Sequence, residues 1–398
     1  MRTPAEQVRS TLRSLLATHD PAQVDPVVFR AAQYDSGLAW VHLPAGRGGL
    51  GVDPGFQESI DAELRAAGAA DYPTAYMVGR ELVAPTLAVH GTDEQRDRYL
   101  RRIFTCEDLW CQLFSEPGAG SDLASLATSA ERLGDGWVVT GQKVWTTMAH
   151  RARWGVLLAR TDPDVVKHRG ITFFIVDMTA PGIEVRPLRQ LTGDAEFNEV
   201  FLTEVHIPDT QRVGDVGHGW SVAMTTLGNE RLVGNVLLGA ERGAGPIAEA
   251  VALWARPATR RTPGLRDELL RLWTAAEVAR LSSLRAASLR GAGMADPTAS
   301  LAKNAAAQLQ QRIYDLASRL RGADALLIDG YEMVQRDHVA QLERGDGDLN
   351  KALLASLAST IAGGTTEINK NIVGERALGL PSEPRDDQGL SWREVRRS

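Results

Sequence analysis

The sequence predicts an α+β protein in three consecutive parts, helical, then β, then helical, and three changes of pattern carry that prediction. Up to about residue 110, apolar residues recur at helical spacing. Val8, Leu12, Leu15 and Leu16 share one face, as do Ile60, Leu64 and Ala67. From Trp110 to about Ile207 the pattern becomes short β-rich runs bounded by turn residues. Gly136-Trp137-Val138-Val139-Thr140-Gly141 and Gly170-Ile171-Thr172-Phe173-Phe174-Ile175-Val176 are the clearest. From Trp220 onward helical spacing returns.

The predicted boundaries are 1–110 for the first helical domain, 111–212 for the β domain and 213–398 for the second helical domain. Within the β domain, Pro181-Gly182 and Asp209-Thr210 punctuate the later strands. In the last domain a first helix is predicted over 222–238. A second carries Leu269, Leu270, Trp273, Ala276, Arg280, Leu281 and Leu284, and another Leu301, Ala305, Leu309, Ile313 and Leu316. Gly291 to Pro297 separates these two, and a further helix is expected from Leu349 to Ile361. Antiparallel helices with short connections form a bundle. No internal repeat or low-complexity segment interrupts this plan.

Composition narrows the function. At 398 residues, 43% hydrophobic and 24% charged, the chain has the profile of an ordinary globular protein with more than one domain. Net charge is −6 and the cations are dispersed, so nothing points to a nucleic-acid surface. The basic end, Arg393 to Arg397, reads as a solvated tail. Cys106 and Cys111, at a helix-to-strand transition, read as two reduced packing thiols. No apolar run approaches the ~20 residues of a membrane span, and the N-terminus lacks the apolar centre of a secretion signal. A cytoplasmic protein is the expectation. The eight histidines show no metal-ligand spacing and two cysteines cannot build a zinc site, so no metal is expected. Ser121 lacks the Gly-x-Ser-x-Gly context of a nucleophile elbow. Gly46-Arg47-Gly48-Gly49-Leu50-Gly51 matches a dinucleotide fingerprint only in letters, because Val52-Asp53-Pro54-Gly55 breaks the helix that the fingerprint needs.

Two motifs carry chemistry. In Ser115-Glu116-Pro117-Gly118-Ala119-Gly120-Ser121-Asp122, the glycines let the backbone visit positive φ and approach a ligand, and the serines add short polar groups. In Gly141-Gln142-Lys143-Val144-Trp145-Thr146-Thr147, Trp145 and Thr147 alternate along a strand and share a face, which suits a ring-shaped, hydrogen-bonding ligand. Either alone also reads as a polar turn leading into a hairpin.

Together and in this order the two motifs resemble the flavin-binding segment of the acyl-CoA dehydrogenase family. Two further blocks extend the resemblance over most of the chain. Gly219-Trp220 with Thr226-Leu227-Gly228-Asn229-Glu230-Arg231 is similar to the start of the family's first long C-terminal helix. Gly364-Thr365-Thr366-Glu367-Ile368, running on to Arg376-Ala377-Leu378-Gly379-Leu380-Pro381, is similar to its C-terminal signature. The resemblance implies a helical N-terminal domain, a middle β-barrel or sandwich, and an antiparallel four-helix bundle, with FAD between the last two. It implies cofactor contacts from Gln112, Phe114, Ser115, Gly120, Ser121, Trp145, Thr147, Thr365 and Glu367. Ser121, Arg231 and Gly363 are the implied substrate contacts. The backbone N–H of Ser121 and the hydroxyls of Ser115 and Thr147 would face the flavin ring, with Trp145 beside its dimethylbenzene edge.

On residues alone, Glu230 beside Arg231 reads as a surface ion pair. The resemblance changes that reading. Most members carry the catalytic glutamate just before the Gly-Thr of the C-terminal signature, where this chain has Gly363. A minority carry it on the first long bundle helix, and Glu230 matches that position. A carboxylate within reach of the α-carbon turns a difficult proton abstraction into an intramolecular step. The family's oxyanion donors are a backbone N–H at the Gly363 position and a flavin ribityl hydroxyl.

The chain departs from the pattern on the adenine side. Arg256 to Gly264 stands where relatives have Arg-x-x-Phe-Gly, Leu320-Arg321-Gly322-Ala323-Asp324 replaces a Gln-x-x-Gly-Gly-x-Gly turn, and Gly228 replaces a substrate-binding aspartate. Such losses resemble those of actinobacterial members of steroid side-chain and secondary metabolism, some of them heterotetramers. The expected function is an FAD-dependent acyl-CoA dehydrogenase, homotetrameric or heterotetrameric, acting on a CoA or carrier-protein thioester and passing electrons to an electron-transferring flavoprotein. Two alternatives are a flavin monooxygenase or oxidase on the same fold, and a partner subunit of a heterotetramer. The retained Glu230 argues against both, and the intact Ser115 to Asp122 segment against the second.

Overall fold

The computed structural model describes residues 3–233, 241–257, 259, 261–291, 298–327, 330, 332–335, 349–384 and 387–395. The side chains of 231–233, 286–291 and 298–299 lie outside that description, as do the predicted separator 292–297 and the end of the first bundle helix, 234–238. The chain divides into two compact units, Met1–Leu188 with Glu196–Thr226 and Gly389–Ser398, and Arg189–Ala195 with Leu227–Gln388.

The first unit begins with α1 (Pro4–Thr18), α2 (Pro26–Asp35) and α3 (Phe56–Ala66). Thr3 starts α1 with a reciprocal cap, its hydroxyl accepting from the Glu6 N–H while the Glu6 carboxylate accepts from the Thr3 N–H. Val8, Leu12 and Leu15 then meet Phe29, Leu38, Val41, Ile60 and Leu64 in one apolar core. Gly46, Gly48 and Gly51 all sit at positive φ. No helix follows until Phe56, so this segment is a turn and not a phosphate loop.

Helices α4 (Ala84–His90) and α5 (Asp93–Phe104) lead to the sheet. Gln95 on α5 donates to the carbonyls of Thr210 and Arg212, both at 2.9 Å, and the Tyr99 hydroxyl donates to Gln211 at 2.8 Å. Cys106, just after α5, and Cys111, on the first strand, are free and buried. The strands are β1 (Trp110–Leu113), β2 (Ser129–Leu133), β3 (Gly136–Thr147), β4 (Trp154–Arg160), β5 (Ile171–Asp177), β6 (Ile183–Pro187), β7 (Phe197–Pro208) and β8 (Arg212–Val213). They form one eight-stranded sheet in the order β6-β7-β3-β2-β4-β5-β8, with β1 parallel to β4. β4 is buried along its whole length and β5 nearly so, as their continuous apolar runs require. β3 runs past the predicted Gly141 to Thr147, so the second motif is the end of a long strand rather than a separate turn.

The basic end is not wholly a solvated tail. Trp392 lies under the Arg160 guanidinium, 4.6 Å from its ring centroid, and donates from Nε1 to the Ser125 carbonyl at 3.2 Å. Arg393 pairs with Asp164 at 3.1 Å. The aromatic residue ahead of the basic run supplies the apolar anchor that a count of charges overlooks.

The second unit is helical. Helix α6 (Gly219–Val233) passes into it at Leu227, and α7 (Pro246–Ala255), α8 (Pro263–Gly291), α9 (Thr298–Arg321), α10 (Leu349–Ser356) and α11 (Thr366–Ile372) follow. α10 tightens into a 3₁₀ turn over Leu357–Thr360, so the helix predicted to Ile361 is α-helical only in its first part. Ile247, Leu253, Leu269, Leu272, Leu309, Ile313, Leu316 and Leu320 form the centre of the core. Two predicted faces need correcting. Leu269 of α8 is buried as expected, with Trp273 and Ala276 packed partly against it, but Leu270, Leu281 and Leu284 are exposed and Leu272 and Ala279 take the inner positions. On α9 Leu301 and Ala305 are exposed, whereas Lys303, Asn304 and Ala306 are buried. Both helices carry more apolar surface than one core-facing stripe uses.

Candidate active site

The sequence-predicted residues fall into two groups, one on each unit. In the first unit Gln112 lies on β1, and Phe114 and Ser115 follow directly. Trp145 and Thr147 end β3. The two motifs are joined backbone to backbone, since the Val144 N–H donates to the Ser115 carbonyl at 2.9 Å. A second link was not anticipated from sequence. Lys143, 0% exposed, donates from Nζ to the Phe114 carbonyl at 3.1 Å and to Glu116 Oε1 at 2.8 Å. The Glu116 carboxylate also accepts from the N–H groups of Ala127 (2.6 Å) and Thr128 (3.0 Å). Burial pushes the Glu116 carboxyl up, but the Lys143 charge and these hydrogen bonds outweigh it and hold it below the ordinary carboxylate range. One buried ion pair thus fixes both ends of the loop 116–128 to the strand that bears Trp145.

Arg160 fastens the same loop from β4. Its guanidinium donates to the carbonyls of Ala124 (2.6 Å), Leu126 (3.1 Å) and Lys167 (2.8 Å). Gly120 and Ser121 lie exposed on the outer part of the loop. Neither Gly118 nor Gly120 uses positive φ, contrary to expectation. A Cβ at either position would meet nothing within 4 Å, so these glycines leave open space beside the backbone rather than enabling a special turn.

Between Lys143 and Thr146 the β3–β7 register slips, and Trp145 occupies the bulge at φ +59°. A non-glycine residue in this region costs of order 1–3 kcal/mol and is found where surrounding structure imposes it. The result is a large aromatic ring held outward, 61% exposed and edge-on to Phe197 at 6.0 Å. Open backbone at 118–121, an outward aromatic ring at Trp145 and hydroxyls at Ser115 and Thr147 fit a flat, hydrogen-bonding flavin ring.

In the second unit the geometry centres on the turn before α11. Gly363 (φ +66°) and Gly364 (φ +84°) are both left-handed. A Cβ built on Gly363 would lie 3.9 Å from Glu230 Oε1. Glu230 and Gly363, the two positions singled out by the resemblance, are therefore neighbours. Lys303 of α9, another residue that sequence reasoning missed, donates to the Gly364 carbonyl at 2.6 Å. Asn369 Nδ2 donates to the same carbonyl at 2.8 Å and to that of Thr365 at 3.0 Å, and Asn304 Nδ2 donates to Thr366 O at 3.1 Å. Thr365 caps α11, its hydroxyl oxygen accepting from the Ile368 N–H, and Glu367 is exposed on the first turn. Beside Glu230, Asn229 Nδ2 is buried with no hydrogen-bond partner among the described residues. The Arg231 side chain lies outside the described residues. Of the altered adenine-side segments, Arg261 folds back onto the carbonyls of Trp254 (3.0 Å) and Arg256 (2.9 Å).

Lys143 and Lys303 share a signal that could have exposed them, a lone cation amid apolar or small residues inside a predicted strand or helix. A buried lysine needs an anion or carbonyl partner.

Profiles of the acyl-CoA dehydrogenase N-terminal, middle and C-terminal domains match residues 4–107, 111–205 and 217–378. The chain is 44% identical over 356 residues to acyl-CoA dehydrogenase FadE34 of Mycobacterium tuberculosis. That match covers 88% of this chain and 46% of the relative, so the chain spans about half of FadE34's length. It is 37% identical over 350 residues to acyl-CoA dehydrogenase IpdE1 of the same organism, covering 87% of this chain and 86% of the relative. Among solved structures it resembles the ChsE4-ChsE5 complex from Mycobacterium tuberculosis, with 29% identity, a TM-score of 0.71 and coverage of 96% and 99%. No helix among the described residues is long and apolar enough to cross a membrane. The three consecutive domain matches, agreeing with the observed order of helices, sheet and helices, make this chain a member of the acyl-CoA dehydrogenase family of flavin-dependent oxidoreductases.

Proposed function

We propose that the chain binds FAD non-covalently and introduces an α,β-double bond into an acyl thioester, carried by coenzyme A or a carrier protein, with Glu230 as the α-proton base. The observation that carries this reading is the 3.9 Å approach of Glu230 Oε1 to the Cβ position of Gly363. Glu230 takes the proton, and the Gly363 N–H donates to the thioester oxygen as enolate charge develops there. Ser121 and Arg231 complete the substrate contacts. Gln112, Phe114, Ser115, Gly120, Ser121, Trp145, Thr147, Thr365 and Glu367 bind the cofactor, with the Ser121 N–H and the Ser115 and Thr147 hydroxyls at the flavin ring and Trp145 beside it. FAD, when bound, accepts the β-hydrogen as hydride. An electron-transferring flavoprotein is the proposed oxidant, and the cytoplasm the proposed compartment.

The test is optical. Purified protein reconstituted with FAD, alone or with a partner subunit, is expected to show flavin absorbance that acyl thioesters bleach without oxygen. A protein that stays colourless under both conditions overturns the cofactor assignment.

Assembly follows from the second apolar stripe. Leu270, Val278, Leu281 and Leu284 are exposed along α8, apolar side chains that a partner helix could cover. We propose a tetramer, a dimer of dimers built from this chain or with a related subunit. Light scattering on the flavin-loaded protein is expected to give a tetramer, and a stable flavin-loaded monomer contradicts it.

A further inference from the structure

Resting on the reading of Glu230 as the base, we infer that Lys303 is a positioning residue for the proton transfer, holding the Gly363–Gly364 turn through its carbonyl and presenting a positive charge to the Glu230 carboxylate. Three distances support this. Lys303 Nζ is 2.6 Å from the Gly364 oxygen, and both Lys303 Cε and Glu230 Oε1 lie 3.9 Å from the Cβ position of Gly363. The ammonium stem and the carboxylate therefore flank the same point from two helices, α9 and α6.

Lys303 is only 6% exposed. Burial pushes its ammonium below the ordinary lysine value, against the opposing pull of Glu230 on α6 and Glu367 on α11. Those two carboxylates are the charged groups that act on it among the described residues; Arg231, also on α6, has its side chain outside that description. A buried lysine opposite two carboxylates and bonded to a backbone carbonyl has a larger stake in the site than a packing residue would.

In the resting site the charge favours the ionised form of Glu230, the only form that can accept a proton. During transfer, the proton moves from the α-carbon to Glu230, and the C–H electron pair becomes enolate charge on the thioester. That charge is discharged as the β-hydrogen leaves with its own electron pair, so the ammonium acts on the start of the step, where Glu230 must be ionised. The carbonyl clamp adds geometry: with Lys303 and Asn369 both bonded to the Gly364 oxygen, the left-handed turn that orients the Gly363 N–H has little freedom to rotate.

The experiment compares Lys303→Met, Lys303→Gln and Lys303→Arg, each loaded with flavin, with Glu230→Gln as control. Anaerobic flavin reduction is measured against pH, and the Glu230 carboxyl is titrated independently as the infrared band that disappears in Glu230→Gln. Removing the cation makes Glu230 harder to ionise. The acidic limb of the rate profile and the infrared titration should both move upward by roughly one to two pH units, from a Coulomb interaction at an effective dielectric near 20. Lys303→Arg should leave both in place. If Lys303→Met does not fold, Lys303→Gln carries the same expectation. Unmoved titrations in the folded neutral variants overturn the role of Lys303, while a Glu230→Gln protein that reduces at the wild-type rate removes the base assignment and this inference with it.

Discussion

Lys143→Met is expected to destabilise the first unit by about 3–5 kcal/mol and to release the flavin, because it strips a buried carboxylate of its only ammonium partner in the described structure. Glu116 would keep its hydrogen bonds from Ala127 and Thr128 but lose the charge that offsets its burial. The Phe114 carbonyl would also lose its Lys143 donor, and the loop bearing Gly120 and Ser121 would lose its tie to β3. Glu116→Gln combined with Lys143→Met should recover part of the loss, since a neutral amide is cheaper to bury than an unpaired charge. Denaturant unfolding and flavin content per chain measure both effects. A loss below about 1 kcal/mol with full flavin content would show that the pair is dispensable, as exposed pairs are.

The order of domains was legible because each is written in its own period. Helical spacing at Val8, Leu12 and Leu15 gives way to the continuous apolar runs that become β4 and β5, and helical spacing then returns in α8 and α9. What sequence could not rank was which of two apolar stripes a helix buries. Leu269 and Leu270 are adjacent in sequence, yet the first is buried and the second exposed. That choice depends on α7 and α9, which pack against α8 and whose own buried faces must be settled at the same time.

The candidate residues differ in how they could be read. Ser115 and Trp145 stood out as residue types in a pattern, whereas Glu230 and Gly363 drew notice only through the family resemblance. Lys143, Glu116 and Lys303 did neither, because a lysine in a sequence looks solvated until the fold encloses it. The bulge at Trp145 was also hidden, since a register shift against β7 leaves no mark on β3 alone. Gly363 gains a physical reason from the structure. At φ +66° a side chain there is strained, and Glu230 Oε1 on α6 lies 3.9 Å from where its Cβ would be.

Glu230→Gln preserves size and hydrogen-bonding capacity while removing basicity, so its effect isolates the proton transfer. A positioned general base contributes typically 10²–10⁴-fold, and its loss appears in the chemical step rather than in cofactor binding. The central claim is tested most directly by anaerobic stopped-flow reduction of flavin-loaded Glu230→Gln with a thioester that bleaches the wild type. The expected result is a reduction rate lower by roughly 10²–10⁴-fold with flavin content unchanged. Reduction at a near wild-type rate would mean that another group takes the α-proton, and the assignment of Glu230 would be wrong.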